Sequence, residues 1–292
     1  MTRYLWRRVG RAVGQLVGLA VVDLVVFYLL PGRGLARYGD DIKALVLHLD
    51  LGYSAQRHET VRALIDHRLG ATVSLAAGGV VVGAAVALLV GTIAAARRRS
   101  RVDRAAMSAA LVAMSAPPYW LALIALYLFS SDVGRFAILP GAGGYASLTS
   151  DPGTWFTSLL MPWLVLAASL AGIYARLLRD QLGDALSQSF TLSARAEGLP
   201  DSDVIVGHGL RAAAPALAAD SARHLGVLAG GVILVESAFR IPGAGQLAAR
   251  AVASGDVSTV HGVVLAGAIA VVVLSLVVDL SLAVADPRIR RA

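Results

Sequence analysis

Cysteine is absent from the chain, which excludes disulfides, thiolate metal sites and cysteine nucleophiles outright. Lysine is nearly absent, Lys43 being the only one. Charge is thin at 15%, against about 25% in an average soluble domain, too little for an ordinary water-facing surface. A phosphate-binding loop of the form Gly-x4-Gly-Lys-Ser/Thr is missing, because Lys43 follows Ile42; energy from ATP would have to arrive through a partner. None of the six histidines (His48, His58, His67, His208, His224, His261) forms a His-x3-His or His-Glu-x-x-His pattern, so no metal site is expected. His58 and His67 read as interfacial polar residues, the other reading being a first contact for a metal-bearing solute. No serine sits in a Gly-x-Ser-x-Gly elbow, and no carboxylate pair has a water-filled setting, so enzymatic chemistry is not expected.

What is present is apolar. Hydrophobic residues make up 57% of the 292, mean hydropathy is +0.69, and the apolar residues gather in runs long enough to cross a bilayer core of roughly 30 Å as helices. The expectation is an all-α integral membrane protein with six spans, near 12–30, 71–96, 105–130, 154–178, 222–239 and 261–285. A tail of residues 1–11 precedes a single membrane domain, 12–292. The first run is too long for a secretory signal and lacks a small-x-small cleavage site, so it reads as an uncleaved helix.

The net charge of +7 is almost wholly arginine. These arginines bracket the apolar runs, a topological pattern rather than a footprint for nucleic acid. Arg3, Arg7, Arg8 and Arg11 precede span one; Arg97, Arg98, Arg99, Arg101 and Arg104 follow span two; Arg176, Arg179, Arg195 and Arg211 follow span four; Arg288, Arg290 and Arg291 end the chain. With six spans these segments share one side, and positive charge favours the cytoplasm, so both termini are expected there. The first external loop, 31–70, holds six Lys/Arg offset by five acids. Within it, apolar residues of 58–66 recur at helical spacing, which predicts an interfacial helix leading into span two. Ile241-Pro242-Gly243-Ala244-Gly245 stops span five, with a short surface helix expected over 246–253.

The polar interlude between spans four and five, about 179–221, stands out. Leu178, Leu182, Leu186, Phe190 and Leu192 recur near helical spacing, predicting that span four continues as an amphipathic helix to Arg195. Gly198 accommodates angles that end a helix sharply, and Pro200-Asp201 suit the start of a second short helix ending near Arg211. Ala194 and Ala196 allow close packing, while Arg195 and Glu197 set register through charge. One reading is a rigid elbow gripping a soluble partner; the other is a solvated amphipathic loop.

Ionisable residues in spans are costly, at least roughly 2.5–3.5 kcal/mol when unpaired, so Asp23, Glu236 and Asp279 must face the bundle, a partner or water. Asp220 lies three residues from Arg223 and four from His224, which allows a shared helical face. That cluster reads either as the polar mouth of a solute path or as a self-neutralised helix entrance. Pro117-Pro118 break the third span and Pro162 lies in the fourth; such breaks line paths or merely kink helices. Gly78, Gly79, Gly83 and Ala87 allow close helix crossing. From the residues alone, a solitary ion- or proton-coupled carrier using Asp23, Glu236 and Asp279 as relays also stands.

Several motifs run in order along most of the chain: Arg3-Tyr4-Leu5, Leu29-Leu30-Pro31-Gly32, Asp50-Leu51-Gly52-Tyr53-Ser54, Arg68-Leu69-Gly70-Ala71-Thr72 and Ala116-Pro117-Pro118-Tyr119-Trp120. Ala194-Arg195-Ala196-Glu197-Gly198-Leu199 follows, then Glu236, Phe239, Pro242-Gly243, Gly245, Asp279 and Asp286-Pro287-Arg288-Ile289-Arg290. The ordered set resembles the inner-membrane permease subunits of bacterial ATP-binding-cassette (ABC) importers of the dipeptide/oligopeptide/nickel type. The resemblance implies a cytoplasmic-membrane protein that passes short peptides or similar small hydrophilic solutes inward. It implies a second homologous permease, two ATPase subunits that hydrolyse ATP, an external solute-binding protein, and surrounding lipid; no cofactor is implied on this chain. Residues 194–199, with Arg211, correspond to the loop named for its Glu-Ala-Ala core that docks on the ATPase; Pro117, Pro118, Asp220, Arg223, His224 and Glu236 are candidates for the path. The chain departs from the family pattern in a short first external loop, in Ala194 where an acid is usual, and in Pro215, one residue early. It departs again at Asp220, Arg223 and His224, where the pattern is more apolar.

Overall fold

The computed structural model describes residues 2–29, 35–221 and 224–285. Helices dominate. α1 (Thr2–Asp23) passes into a π-helical turn, Leu24–Leu29, and α2 (Leu35–His48) lies beside it. A two-stranded antiparallel ladder, β1 (Tyr53–Ser54) and β2 (Glu59–Thr60), pairs Tyr53 with Thr60. α3 (Val61–Ala96), α4 (Arg101–Ser115), α5 (Pro118–Phe129) and α6 (Pro152–Ala185) follow. Then come α7 (Ser189–Ala196), α8 (Asp201–Asp203), a π-helical turn Val204–Leu210, α9 (Arg211–Ser221), α10 (Leu225–Phe239), α11 (Ala244–Ser254) and α12 (Val257–Ala285).

α3 and α6 are the frame. α3 starts where the Thr60 hydroxyl accepts from the Ala63 amide and runs 36 residues without interruption, about 54 Å at 1.5 Å per residue, well beyond a bilayer core. The helix expected over 58–66 to lead into span two starts at Val61, after β2, and is continuous with that span as the first turns of α3. α6 is capped by Asp151, whose carboxylate accepts from the Gly153 and Thr154 amides. Its apolar face packs with α3, α5 and α10 through Leu75, Ala122, Leu159, Trp163, Leu166, Leu170 and Val235, all buried. Glycines along α3 let it approach α6 closely: a Cβ on Gly91 would stand 2.8 Å from the Ala175 carbonyl oxygen. Trp163 locks the seam by donating its indole N–H to the Ser74 carbonyl at 3.0 Å.

Among the described residues, four helices are long and apolar enough to cross a membrane, six if two bent pairs each make one span. The third apolar run is one such pair. α4 and α5 meet at 105°, so the break expected within 105–130 is a sharp corner, wider than a proline kink. Neither proline of Pro117-Pro118 has an N–H to donate, and Ala116, preceding proline, is driven to extended angles (φ −79, ψ 129), so the helix ends and restarts with Pro118 at its first position. α10 and α11 form the second pair at 71°. Three boundaries also differ from the sequence reading. Residues 2–11, expected as a tail, already belong to α1; α2 was not anticipated in the 31–70 loop; and α6 breaks at Leu186 instead of running on to Arg195.

The end of the bundle holding the start of α3 is tied by one buried carboxylate. Asp256, between α11 and α12, accepts from the Ser54 hydroxyl at 2.6 Å, the Thr259 hydroxyl at 2.6 Å and the Thr259 amide at 3.2 Å. Burial pushes this carboxyl up, but the Ser54 and Thr259 hydrogen bonds, helped by Arg57, outweigh it and hold it below the usual carboxylate value.

Candidate functional site

The elbow lies at the opposite end, where α6 emerges. The Thr191 hydroxyl, fully buried, donates its one proton to the Gln188 carbonyl at 2.7 Å, with the Ala185 and Leu186 carbonyls also within reach at 3.1 Å, which fixes the turn between α6 and α7. α7 then closes in a Schellman arrangement: the Gly198 amide donates to the Arg195 carbonyl at 3.0 Å and the Leu199 amide to the Ala194 carbonyl at 3.3 Å. Gly198 has φ +87, the left-handed geometry that this cap needs and glycine adopts without strain. Pro200 follows and starts α8.

The elbow's two sides differ. Ala194 is 5% exposed and packs with Ala95, Leu178, Leu182, Leu186, Val204 and Ala213, with Leu199 against them. Arg195, Ala196, Glu197 and Gly198 face outward. Arg195 Nε lies 3.0 Å from Asp201 Oδ1, so one charged pair crosses the bend. Arg211 is exposed, but it begins α9 and does not end the second helix, which runs through the π-helical turn into α9.

Beside the elbow is a cleft of about 540 Å³ lined by Arg97, Arg98, Arg99, Arg195 and Asp201. Arg98 reaches Asp184 of α6 at 3.0 Å. A firmer tie lies one turn away: Arg179 on α6 grips Asp103 on α4 with two bonds, Nε to Oδ1 at 3.0 Å and Nη2 to Oδ2 at 2.7 Å. Asp103 is 2% exposed and accepts from the Arg99 amide as well. The sequence reading missed this pair; an acid three residues into a helix, within an arginine-rich link, was the available signal.

The residues assigned to a path do not gather in one place. Pro117 and Pro118 sit at the α4–α5 corner. Glu236 is fully buried at the α10–α11 corner, where its Oε2 accepts from the Gln246 amide at 3.0 Å. It thus caps α11, and a Cβ on Gly243 would collide with its carboxylate. His224 Nδ1 lies 3.3 Å from the Tyr174 hydroxyl, at one side of an apolar cavity of about 300 Å³ between α3, α6, α9 and α10. The Asp220 side chain and Arg223, expected to join His224, lie outside the described residues, as do Asp279's side chain and residues 286–290. Among the described residues, no group of three or more His, Asp or Glu converges as a metal site.

This is a multi-pass, helical membrane protein with a built elbow at one end. Residues 87–291 match the family described as the inner membrane component of binding-protein-dependent transport systems, and the chain belongs to that family. It is similar over 99% of both chains to a protein of Brucella abortus (strain 2308), 30% identical, named as a peptide transport system permease. It is likewise similar over 99% of both chains to a peptide permease protein of Brucella suis biovar 1 (strain 1330), 31% identical. The dipeptide transport system permease protein DppB of Escherichia coli (strain K12) is 26% identical over the same share.

Proposed function

We propose that the chain is the membrane-spanning permease of an ABC importer, carrying short peptides or a similarly small hydrophilic solute into the cytoplasm. Family membership and the peptide-permease names of its relatives support this reading. Each bent pair counts as one span, giving six, with the elbow, the 97–104 link and both termini in the cytoplasm. The geometry is consistent: α1 ends at Asp23 beside His261, 2.9 Å away at the start of α12, so its arginine-rich N-terminus points toward the elbow end. The working assembly adds a second, homologous permease, two ATPase subunits that hydrolyse the ATP, and an external solute-binding protein.

The observation that carries the coupling role is the elbow's two-sided build. A rigid cap fixed by Gly198 presents Arg195, Ala196 and Glu197 outward, while Ala194 and Leu199 anchor it to the extension of α6 and the following helices. A lever needs both: an exposed grip and a stiff link to the spans. Closure of the ATPase pair would move the elbow, and the spans would rock to release solute, an alternating-access cycle. The test is solute-stimulated ATP hydrolysis by the co-expressed assembly, comparing wild type with Glu197→Arg and Gly198→Pro. Loss of stimulation, or of ATPase association, with the permease still folded is the expected result. Undiminished coupling in both variants would sink the assignment.

A further inference from the structure

At the end of the bundle opposite the elbow, a cavity of about 230 Å³ opens between the π-helical end of α1, α2, the 50–53 loop and the first turns of α12. Its polar walls are Asp23, Asp41, Asp50, Tyr28, Tyr53, Ser258 and His261, and among the described residues no lysine or arginine lines it. Three carboxylates against one imidazole make it an electronegative cup. Asp23 is 4% exposed. Its Oδ1 lies 2.9 Å from His261 Nε2, yet its Oδ2, equally buried, meets no hydrogen-bond donor among the described residues. An ionised oxygen left so is expensive unless a donor visits it. The other carboxylates are already oriented: the Tyr28 hydroxyl donates to Asp41 Oδ2 at 2.7 Å, and the Gly52 amide to Asp50 Oδ1 at 2.8 Å.

We propose that this cup is a binding site for a primary ammonium group, with Asp23 Oδ2 and the Asp41 carboxylate as its acceptors. A metal ion is the poorer fit, since no three ligating side chains converge tightly enough among the described residues. An ammonium group carries three N–H donors on a compact charge and suits acceptors spread around a cup. The Tyr28 and His261 rings, packed edge to face with centroids 5.6 Å apart, hold one wall of the cup in place. The site is remote from the elbow and its occupancy does not depend on the direction of transport. Two sources carry the same chemistry: the free amino end of a small peptide, or the ethanolamine headgroup of a lipid.

The full chain, purified and held at constant neutral pH, separates them. Native mass spectrometry with phosphatidylethanolamine against phosphatidylcholine reads the lipid source; calorimetry with Ala-Ala against N-acetyl-Ala-Ala reads the peptide source. Preferred retention of the primary amine by wild type, weakened roughly tenfold or more in Asp23→Asn and in Asp41→Asn but kept in Asp66→Asn, supports the site and names its source. Size-exclusion profiles establish that each variant is folded; should Asp23→Asn not fold, Asp41→Asn, altered at an exposed position, carries the test. Equal binding of amine and blocked amine in both formats, or undiminished binding in the folded carboxamide variants, overturns the proposal.

Discussion

Single side chains decide how the two ends of this bundle hold. Asp103 is buried and held by two bonds from Arg179 across α4 and α6, with Arg179 also touching Asp180 at 2.6 Å. Asp103→Ala unties α4 from α6 and leaves the guanidinium only Asp180 of its own helix, and the expected loss is about 1–3 kcal/mol, read as a lowered midpoint of thermal unfolding in detergent; Asp180→Ala, whose carboxylate is half exposed, should cost far less. Asp256 behaves differently because its carboxyl is held low. A depressed folded value stabilises above the unfolded value of about 3.9, and that contribution is lost as pH falls through the lower folded one. Hydrogen-exchange protection at 52–60, taken relative to the unfolded chain at each pH, should therefore hold from neutral pH to just above about 4 and fall only in stronger acid. Asp256→Asn should abolish that acid step and leave the segment poorly protected throughout.

Among elements, the α3–α6 seam and the α4–α5 corner carry the most argument. The small residues of α3 were readable in the sequence as a close-packing stripe, but not the helix that they meet. The structure pairs Gly91 with Ala175 and Leu178, leaving a Cβ only 2.8–3.0 Å from them. Gly91→Val overpacks that seam, with an expected destabilisation of roughly 1–3 kcal/mol and a matching fall in thermal midpoint. Gly18→Ala, where a Cβ meets nothing within 4 Å, is the control and should be silent. The proline break was equally legible as a break, since the missing N–H groups are local facts. Its angle was not: 105° rather than a kink depends on what α5 packs against, namely α10 and α6.

The whole molecule offers a clean test of topology, because the chain has no cysteine of its own. Ser202→Cys in the elbow and Gln56→Cys in the β1–β2 turn both stand at exposed positions. A membrane-impermeant maleimide applied to intact cells should label Gln56→Cys and spare Ser202→Cys; inverted vesicles should reverse the pattern. Labelling of both from one side would overturn the placement of the elbow in the cytoplasm. The same comparison separates the bent pairs: Tyr127→Cys on α5 should resist the reagent from both sides if α4 and α5 together form a span.

Chain composition and pattern determined the class of this protein by themselves. Apolar runs with arginine at their ends leave no soluble alternative, since an apolar helix must be buried in protein or lipid, and the ordered motifs carry the family. Gly198 announced the cap because left-handed geometry is a property of one residue. Only the tertiary structure decided which side of the elbow is anchored, that Glu236 caps α11, and that Asp103 and Arg179 clasp α4 to α6. It also set His224 beside Tyr174, and brought Asp23, Asp41 and Asp50 around one cavity. The reason is common to all of these: sequence spacing specifies neighbours along one helix, whereas a cap, a clasp or a cavity is made between helices whose mutual placement no local pattern encodes.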